Sequence, residues 1–347
     1  MSILKAEPMK VAIVGCGAIV EYGHLPGAAL AEEVDITLLV DRDISRARKL
    51  ADQFGIAHAS NDVGDVINYA DAAVIATPPR SHAHLAIELL SQGIHILVEK
   101  PMAVSTAECD AMIHASRTSG RCLAIGMTRR FYRSEIYIRD LLRSGILGEP
   151  RSFRLENGYD YAWPSATNFI LSKDLAGGGV LMGLGSHVLD SMIWVLGPPA
   201  SMKYFSDAAG GIESECRIEI TMSNGATGIV ELSRSRNLSN MFRIECERGT
   251  VSSPYNGNCV RVSVKGSTLE LEGAVHPISG HKTPLTQPEI MADELRNFVI
   301  AATTGTEPAA SAEFVRQSIQ IVEDCYASAI EYPTPWSSAV LIPQGEV

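Results

Sequence analysis

Val11-Ala12-Ile13-Val14-Gly15-Cys16-Gly17-Ala18-Ile19-Val20 is the stretch that decides the fold of this chain. An apolar strand runs into Gly-x-Gly at the start of a helix. The two glycines permit a tight turn and let the backbone approach a pyrophosphate, whose charge then sits near helix N-terminal amides. Gly15, Gly17, Ala18 and Ile19 are therefore candidate dinucleotide-binding positions. Val20 occupies the third fingerprint position, where Gly or Ala is usual, so a plain strand–turn–helix competes with this reading until context is added. Asp41 adds it. This acid ends the second apolar run, Val34–Val40, where a carboxylate can accept both ribose hydroxyls of an adenosine. A 2′-phosphate would meet a like charge there, which favours NAD. Arg42 follows and can stack on adenine or pair with that phosphate, so NADP stays open.

Working outward, apolar runs recur at Ala72–Thr77, Ile94–Val98 and Cys122–Ile125, separated by amphipathic segments. Ile44, Ala47, Leu50, Ala51 and Phe54 share one helical face, with Gly55 as the stop. Ser105-x-x-Glu108 has capping-box spacing for the helix over 105–119. Strands alternating with helices imply parallel strands, right-handed crossovers and a doubly wound sheet. Past Gly126 the texture changes. A helix over 134–143 precedes a strand over 151–158. Further runs follow at 201–205, 216–222, 227–232, 242–246, 260–264 and 268–271, with turns at Asn224-Gly225, Arg248-Gly249 and Asn256-Gly257. Tight turns between neighbouring strands require antiparallel pairing. Helices over 288–303 and 312–329 close the chain. The expectation is an α/β protein of two domains, residues 1–126 with a doubly wound parallel sheet and residues 127–347 with an α+β domain on a large, mostly antiparallel open sheet. The C-terminal helices are free to pack back on the first domain.

Three more segments carry chemistry. Ala76-Thr77-Pro78-Pro79 ends a strand at the edge where open parallel sheets hold ligands, which makes Thr77 and Pro78 candidates to line the cofactor, with an ordinary turn as the alternative. His82 and His84 follow; His82 is a candidate cofactor contact against a capping or surface role. Glu99-Lys100-Pro101 ends the next strand. A partly buried lysine with a lowered pKa can act as acid or base, and Lys100-Pro101 is a candidate cis bond. A surface ion pair is the competing reading. Finally, Gly177-Gly178-Gly179 leads into Val180–Asp190 with helical spacing, placing His187 and Gly183 four residues apart on one face. His187 is either a proton-exchanging group or a core histidine.

The bulk numbers bound these readings. The chain has 347 residues with a net charge of −11, which argues against nucleic acid as the main partner. There is no signal-like segment and no uninterrupted apolar run of membrane-spanning length, so a cytoplasmic protein without membrane contact is expected. Seven cysteines are scattered without metal-ligand spacing, and no metal site is expected.

On Gly15-x-Gly17, His24-Leu25-Pro26, Asp41, Ala76–Pro79, Glu99-Lys100-Pro101, Gly126 with Arg129-Arg130-Phe131, and Gly177-Gly178-Gly179…Gly185-x-His187-x-x-Asp190, the chain resembles the glucose–fructose oxidoreductase/inositol dehydrogenase (Gfo/Idh/MocA) family along nearly its whole length. The resemblance implies a Rossmann domain, NAD or NADP, a carbohydrate-like small-molecule substrate, and a homodimer or homotetramer. It implies Lys100 and His187 as catalytic residues, with Glu99, Lys100 and Arg129 beside the cofactor. Where the family usually carries Asp, four residues before the histidine, this chain has Gly183. Asp190 matches a different, mainly structural position, and Asp174 is the nearest acid in the preceding loop. Tyr159, Tyr161, Trp163 and Asn168 form a polar–aromatic stretch suited to substrate, with ordinary packing as the alternative. The implied reaction is hydride transfer between nicotinamide and a secondary alcohol or ketone. A ketone or imine reductase, or a non-catalytic NAD-binding regulator left by loss of the acid at 183, are the alternatives.

Overall fold

Val11, Ala12 and Ile13 are wholly buried because helices cover both faces of their sheet. The computed structural model describes residues 7–160, 167–208, 211–255, 257–277 and 285–331. The first sheet comprises β1 (Met9–Val14), β2 (Val34–Val40), β3 (His58–Ser60), β4 (Ala72–Ile75), β5 (His95–Glu99) and β6 (Leu123–Gly126) in the order β3-β2-β1-β4-β5-β6, all parallel. Its helices are α1 (Leu25–Ala28), α2 (Ile44–Phe54), α3 (Val66–Tyr69), α4 (His82–Ser91) and α5 (Thr106–Ser119). Winding reverses between β1 and β4, so the carboxyl ends of β1, β4 and β5 open onto one crevice. Gly15, Thr77 and Lys100 all emerge there.

Local chemistry sets the boundaries. The Asp43 carboxylate accepts the Ser45 amide at 3.1 Å to start α2, and Gly55 at φ 70° ends it. The Ser105 hydroxyl accepts the Glu108 amide at 3.2 Å to start α5, a cap of about 1 kcal/mol. Pro26 has no amide to offer the carbonyl four residues back. The turn before it, Val20–His24, is widened into a π-helical turn in which the Leu25 amide reaches Val20 O.

The second sheet has nine strands: β7 (Pro150–Gly158), β8 (Pro199–Ser206), β9 (Glu215–Met222), β10 (Thr227–Ser233), β11 (Met241–Cys246), β12 (Gly249–Pro254), β13 (Cys259–Val264), β14 (Glu270–Ala274) and β15 (Ile330–Glu331), ordered β14-β13-β12-β11-β7-β10-β9-β8-β15. Pairing is antiparallel except for β7 with β10 and β8 with β15. The inward face of β9 buries Ile218, Ile220 and Met222, while Arg217 and Glu219 pair on the outer face. Helices α6 (Arg133–Arg143), α7 (Lys173–Ala176), α8 (Ser186–Leu196), α9 (Gln287–Thr304) and α10 (Ala312–Ala327) complete the described chain. Val188, Leu189 and Met192 of α8 are fully buried, each contributing roughly 1.5–3 kcal/mol. The most apolar stretch of the helical run Lys173–Leu196 is 67% buried, so core packing accounts for its apolarity. α9 returns to the first layer, where a side chain on Gly27 would come within 2.7 Å of Met291 Cβ. The Ile125 amide donates to Ala310 O at 3.0 Å, fastening the approach to α10 onto β6.

Candidate active site

Gly15 adopts φ +97°, and a Cβ on it would sit 2.6 Å from Ala76 O, so the loop after β1 is pressed against the end of β4 by a residue that must be glycine. Above Gly17 the space is open, with nothing within 4 Å of a virtual Cβ. Ala18 and Ile19 open the helix behind it. The Asp41 carboxylate at the end of β2 accepts the Cys16 amide at 2.8 Å and the Asp43 amide at 2.9 Å, and faces Arg46 at 3.3 Å. A glycine turn with room above it and a carboxylate at the second strand end fit a dinucleotide. Arg42 is exposed beside this edge, and Arg46, one turn into α2, is the cation that meets Asp41. Burial, then Asp41, pushes the Cys16 thiol up to about 12, which leaves it inert.

Lys100 leaves β5 through a cis bond to Pro101 and reaches the second layer, where Nζ donates to Gly183 O at 3.2 Å. That carbonyl belongs to a π-helical turn, Leu181–Gly185, ahead of α8. Burial pulls the Lys100 pKa down; Glu99 pulls it up, and Arg234 and Arg129 add to the depression. Glu99 itself is turned inward. Its Oε1 lies 2.8 Å from His24 Nε2, and its Oε2 accepts the Lys100 amide at 3.1 Å. Burial raises the Glu99 pKa, but His24 and Lys100 together outweigh it and hold the acid below its ordinary value. Glu294 of α9 lies beneath, with both carboxyl oxygens buried and unpartnered among the described residues. Burial, then Glu99, holds the Glu294 pKa well above the usual carboxylate range.

His187 stands on the first turn of α8. Burial, then the charges of Lys100 and Arg129, keeps its pKa well below the ordinary imidazole value. Its Nδ1 is buried without a hydrogen-bond partner among the described residues. Arg129 is 7% exposed; Nη2 donates to Asn157 Oδ1 at 2.7 Å, the guanidinium lies 4.0 Å over the Tyr255 ring, and Nη1 is unpartnered among the described residues. At Gly183, a Cβ would fall 2.1 Å from Arg234 Nη2 and 3.3 Å from its Cζ. The space left by the missing side chain is taken by a guanidinium from the end of β10.

The structure thus brings Lys100, His187, Arg129 and Gly183 together. One expectation changes. His82 is fully buried with Nε2 at 2.8 Å from Thr77 O and Nδ1 at 2.9 Å from Pro101 O, so it ties two loops together and does not face the crevice. Burial holds His82 below its ordinary pKa against the pull of those carbonyls. Glu99 is 7% exposed, its carboxylate shared between His24 and the Lys100 amide. Asn168 and Asp174 are exposed, on the turns before Phe169–Leu171 and within α7. Thr77 and Pro78 stay partly open at the crevice, the Thr77 hydroxyl accepting Ser81 Oγ at 2.7 Å. Tyr159 is 37% exposed, and the charges of Arg234 and Arg129 act on its hydroxyl. Tyr161 and Trp163 lie outside the described residues. Sequence reasoning missed Arg234, Arg46, Asn157, Tyr255 and Glu294. Arg234 sits in Ser233-Arg234-Ser235-Arg236, which has no motif; only sheet order carries it to Gly183.

Comparison with known proteins agrees with this geometry. Residues 9–127 match the GFO/IDH/MocA model described as an oxidoreductase family with an NAD-binding Rossmann fold, and residues 136–252 match the GFO/IDH/MocA C-terminal domain. The chain is 26% identical over 335 residues to 4-carboxy-2-hydroxymuconate-6-semialdehyde dehydrogenase of Sphingobium sp. (strain NBRC 103272 / SYK-6), covering 92% of this chain and 96% of that one. It is 28% identical over 204 residues to D-glucoside 3-dehydrogenase of Escherichia coli (strain K12), a match that spans only 57% of each chain. Among solved structures, aldose-aldose oxidoreductase from Caulobacter crescentus complexed with glycerol superposes with a TM-score of 0.82 at 25% identity, covering 92% of this chain and 97% of that one.

Proposed function

The chain belongs to the GFO/IDH/MocA oxidoreductase family, and from that premise we propose that it is an NAD-dependent dehydrogenase in which Lys100 and His187 handle the proton of a secondary alcohol on a carbohydrate-like small molecule. One observation carries the reading: Lys100, rooted at the ligand-binding edge of the parallel sheet, spans to Gly183 O in the second layer, and its charge is felt by His187. When bound, the nicotinamide supplies or takes the hydride at the carbinol carbon.

The chain's own residues do the rest. Oxidation of a hydroxyl needs a base for its proton and a cation for the charge that develops on oxygen. His187, held neutral by burial and by the neighbouring cations, is able to accept that proton. The Lys100 ammonium has three donors, one of which goes to Gly183 O, leaving the face toward the crevice for the substrate oxygen. In the reducing direction the proton returns to the carbonyl oxygen. The two groups act as a coupled pair, so their titration belongs to both. Glu99 steadies Lys100 through its amide, and His82 locks the Pro101 carbonyl to the Thr77 loop. The substrate classes in the names of its relatives, glucosides and a hydroxy-carboxy semialdehyde, support a small polar hydroxy compound.

Lys100→Met tests the reading. kcat is expected to fall roughly 100- to 10,000-fold, the usual range for loss of a general acid–base group, with NAD binding retained in a titration. A Lys100→Met enzyme with full activity overturns the mechanism. NAD binding without turnover on any polyol, sugar or hydroxy acid would make the chain a cofactor-binding regulator instead.

A further inference from the structure

We propose that Glu135 is a positioning residue for the catalytic pair: by holding or releasing a buried proton, it sets how much of the Arg129 charge reaches Lys100 and His187. This rests on the reading of those two residues as the proton-handling pair.

Two buried polar atoms with complementary chemistry lie behind the site. Glu135, on the first turn of α6, is 2% exposed. Its Oε2 accepts Ser191 Oγ at 2.6 Å, and its Oε1 is buried with no hydrogen-bond partner among the described residues. Arg129 stands on the turn Thr128–Phe131 just ahead of α6, and its buried Nη1 likewise has no hydrogen-bond partner among the described residues. The rest of its guanidinium meets neutral groups, Asn157 through Nη2 and the face of the Tyr255 ring. Oε1 is an acceptor, Nη1 is a donor, and the Arg129 charge acts on Glu135. Arg129 is also the link to the site. Burial first, then Arg234 and Arg129, pull the Lys100 pKa down against Glu99; burial first, then Lys100 and Arg129, pull down that of His187. Ser191 lies one turn beyond His187 on α8, so Glu135 is fastened to the helix that carries the histidine.

The other groups around Glu135 leave Arg129 as its main unmatched neighbour. Arg130 is matched by both oxygens of Asp190, at 2.8 and 2.6 Å. Burial keeps the Tyr132 and Tyr255 hydroxyls above the ordinary phenol value, so both stay neutral; Glu294 of α9 acts on Tyr132 as Glu135 does. β12 carries no charged residue, and Arg261 of β13 pairs with Glu272 at 3.0 Å. On α6 itself, Arg139 bonds Asp140 and stacks 4.1 Å over Trp194, and Arg133, two residues before Glu135, falls on another side of the helix. Burial outweighs Arg129, the Ser191 hydroxyl and Arg130, Asp190 adds to burial, and the Glu135 pKa stands at about 7.

Below that pH the acid is neutral, and Arg129 presents its full charge to Lys100 and His187, making both poorer bases. As pH rises through 7 the proton passes to solvent, the carboxylate takes up the Nη1 donor, and the Arg129 charge is matched within the protein. Lys100 then keeps its ammonium form to higher pH, and His187 becomes the stronger base. Both changes favour removal of the alcohol proton.

The test compares wild type with Glu135→Gln, which fixes the neutral form, and with Ser191→Ala, which removes a bond that favours the ionised form. In NADH-loaded protein the 13C carboxyl signal of Glu135 is expected to titrate near pH 7, to vanish in Glu135→Gln, and to titrate at higher pH in Ser191→Ala. Retained NADH binding reports an intact fold. The 15N signal of Lys100 Nζ should titrate about half a unit to one unit lower in Glu135→Gln, a threefold to tenfold change in proton affinity. Oxidation is followed on myo-inositol, D-glucitol, D-glucose and D-gluconate, and read on any that is turned over. At pH 6 kcat of Glu135→Gln should match wild type, and at pH 8 it should fall roughly three- to tenfold below it, with KM for NAD unchanged. Ser191→Ala should move the same rise in rate to higher pH. A Glu135 carboxyl that titrates below about pH 5, near the ordinary glutamate value, overturns the inference. So does a Lys100 titration and a rate profile that Glu135→Gln leaves unmoved, which would make Glu135 a structural group. If Lys100 shifts as expected while no alcohol is ever oxidised, the dehydrogenase reading fails and the coupling of Glu135 to Lys100 stands.

Discussion

Two arginines meet the same helical segment seven residues apart, with opposite outcomes. Arg130 meets Asp190. Nε and Nη2 donate to its two carboxyl oxygens at 2.8 and 2.6 Å, Nη1 donates to Ala309 O at 2.7 Å, and the guanidinium stacks 4.3 Å from the Phe314 ring. Both side chains are 3% exposed or less. Arg234 meets Gly183, where the chain offers no side chain at all. The first arrangement is closed, its charge matched by the protein, and it belongs to the fold. The second places a guanidinium in the space beside the π-helical turn, next to Lys100. Arg129, next in sequence to Arg130, falls on the site side with a neutral partner, so one step along the chain separates structure from recognition.

Removing the closed pair's acid is expected to have the largest effect on stability. Asp190→Ala leaves Arg130 buried with no countercharge, at a cost of about 3–5 kcal/mol in urea unfolding. Replacing both partners with apolar residues, Arg130→Met with Asp190→Leu, should recover much of that loss. Should Asp190→Ala instead leave stability untouched and change substrate preference, the division between the two arginines would be wrong.

The same division explains what the sequence could reveal. The first sheet was legible because β1, β2, β4, β5 and β6 are short apolar runs, each ended by a residue with a task. Lys100 and His187 could be singled out because Glu99-Lys100-Pro101 and the Gly177–Asp190 block carry the family resemblance. β3 has three residues and no pattern, and β12 reads Gly249-Thr-Val-Ser-Ser-Pro254, too polar and small to announce a strand although β11 and β13 enclose it. The parallel pairing of β7 with β10 was hidden as well, because it joins segments with two strands and most of the site between them. That pairing brings the end of β10, and with it Arg234, beside β7 and the Lys100 crevice. A glycine's meaning was hidden in turn: Gly183 looked like a loss, and only the structure shows that Arg234 occupies its space.

Glu135 sharpens the comparison between the adjacent Arg129 and Arg130, since the charges of both act on it. Its Oε2 accepts Ser191 Oγ at 2.6 Å, while Oε1 is buried without a partner among the described residues. Burial raises its pKa from 4.5 to about 7, against the pull of Arg129 and Arg130. The folded value is above the unfolded one, so the folded state binds the proton more tightly. The stabilisation is complete below about pH 4.5 and is lost as pH rises through 7, a fall on the order of 3 kcal/mol. Glu135→Gln, which mimics the neutral acid, should remove that slope from stability measured between pH 4.5 and 7.5. A slope that survives in the variant would assign it to other groups and would mean that the two arginines already hold Glu135 ionised.

The smallest expected effect comes from a third arginine, Arg46, whose setting is intermediate between those of Arg130 and Arg234. Arg46 faces Asp41 at 3.3 Å with both side chains partly open to the crevice, so the carboxylate is shared between the chain and whatever lies at the ribose end of the dinucleotide. Asp41 has two duties: it holds the Cys16 amide of the glycine turn, and its charge repels a 2′-phosphate. Asp41→Asn keeps an acceptor for that amide and removes the charge, leaving Arg42 and Arg46 to receive the phosphate. The ratio of NADP to NAD affinity should rise about tenfold, equivalent to 1.4 kcal/mol, with total NAD affinity falling less. Titration of both cofactors against wild type and variant measures it. An unchanged ratio would mean that Arg46 already cancels the Asp41 charge, which would move this pair from the recognising kind to the closed kind that Arg130 and Asp190 exemplify.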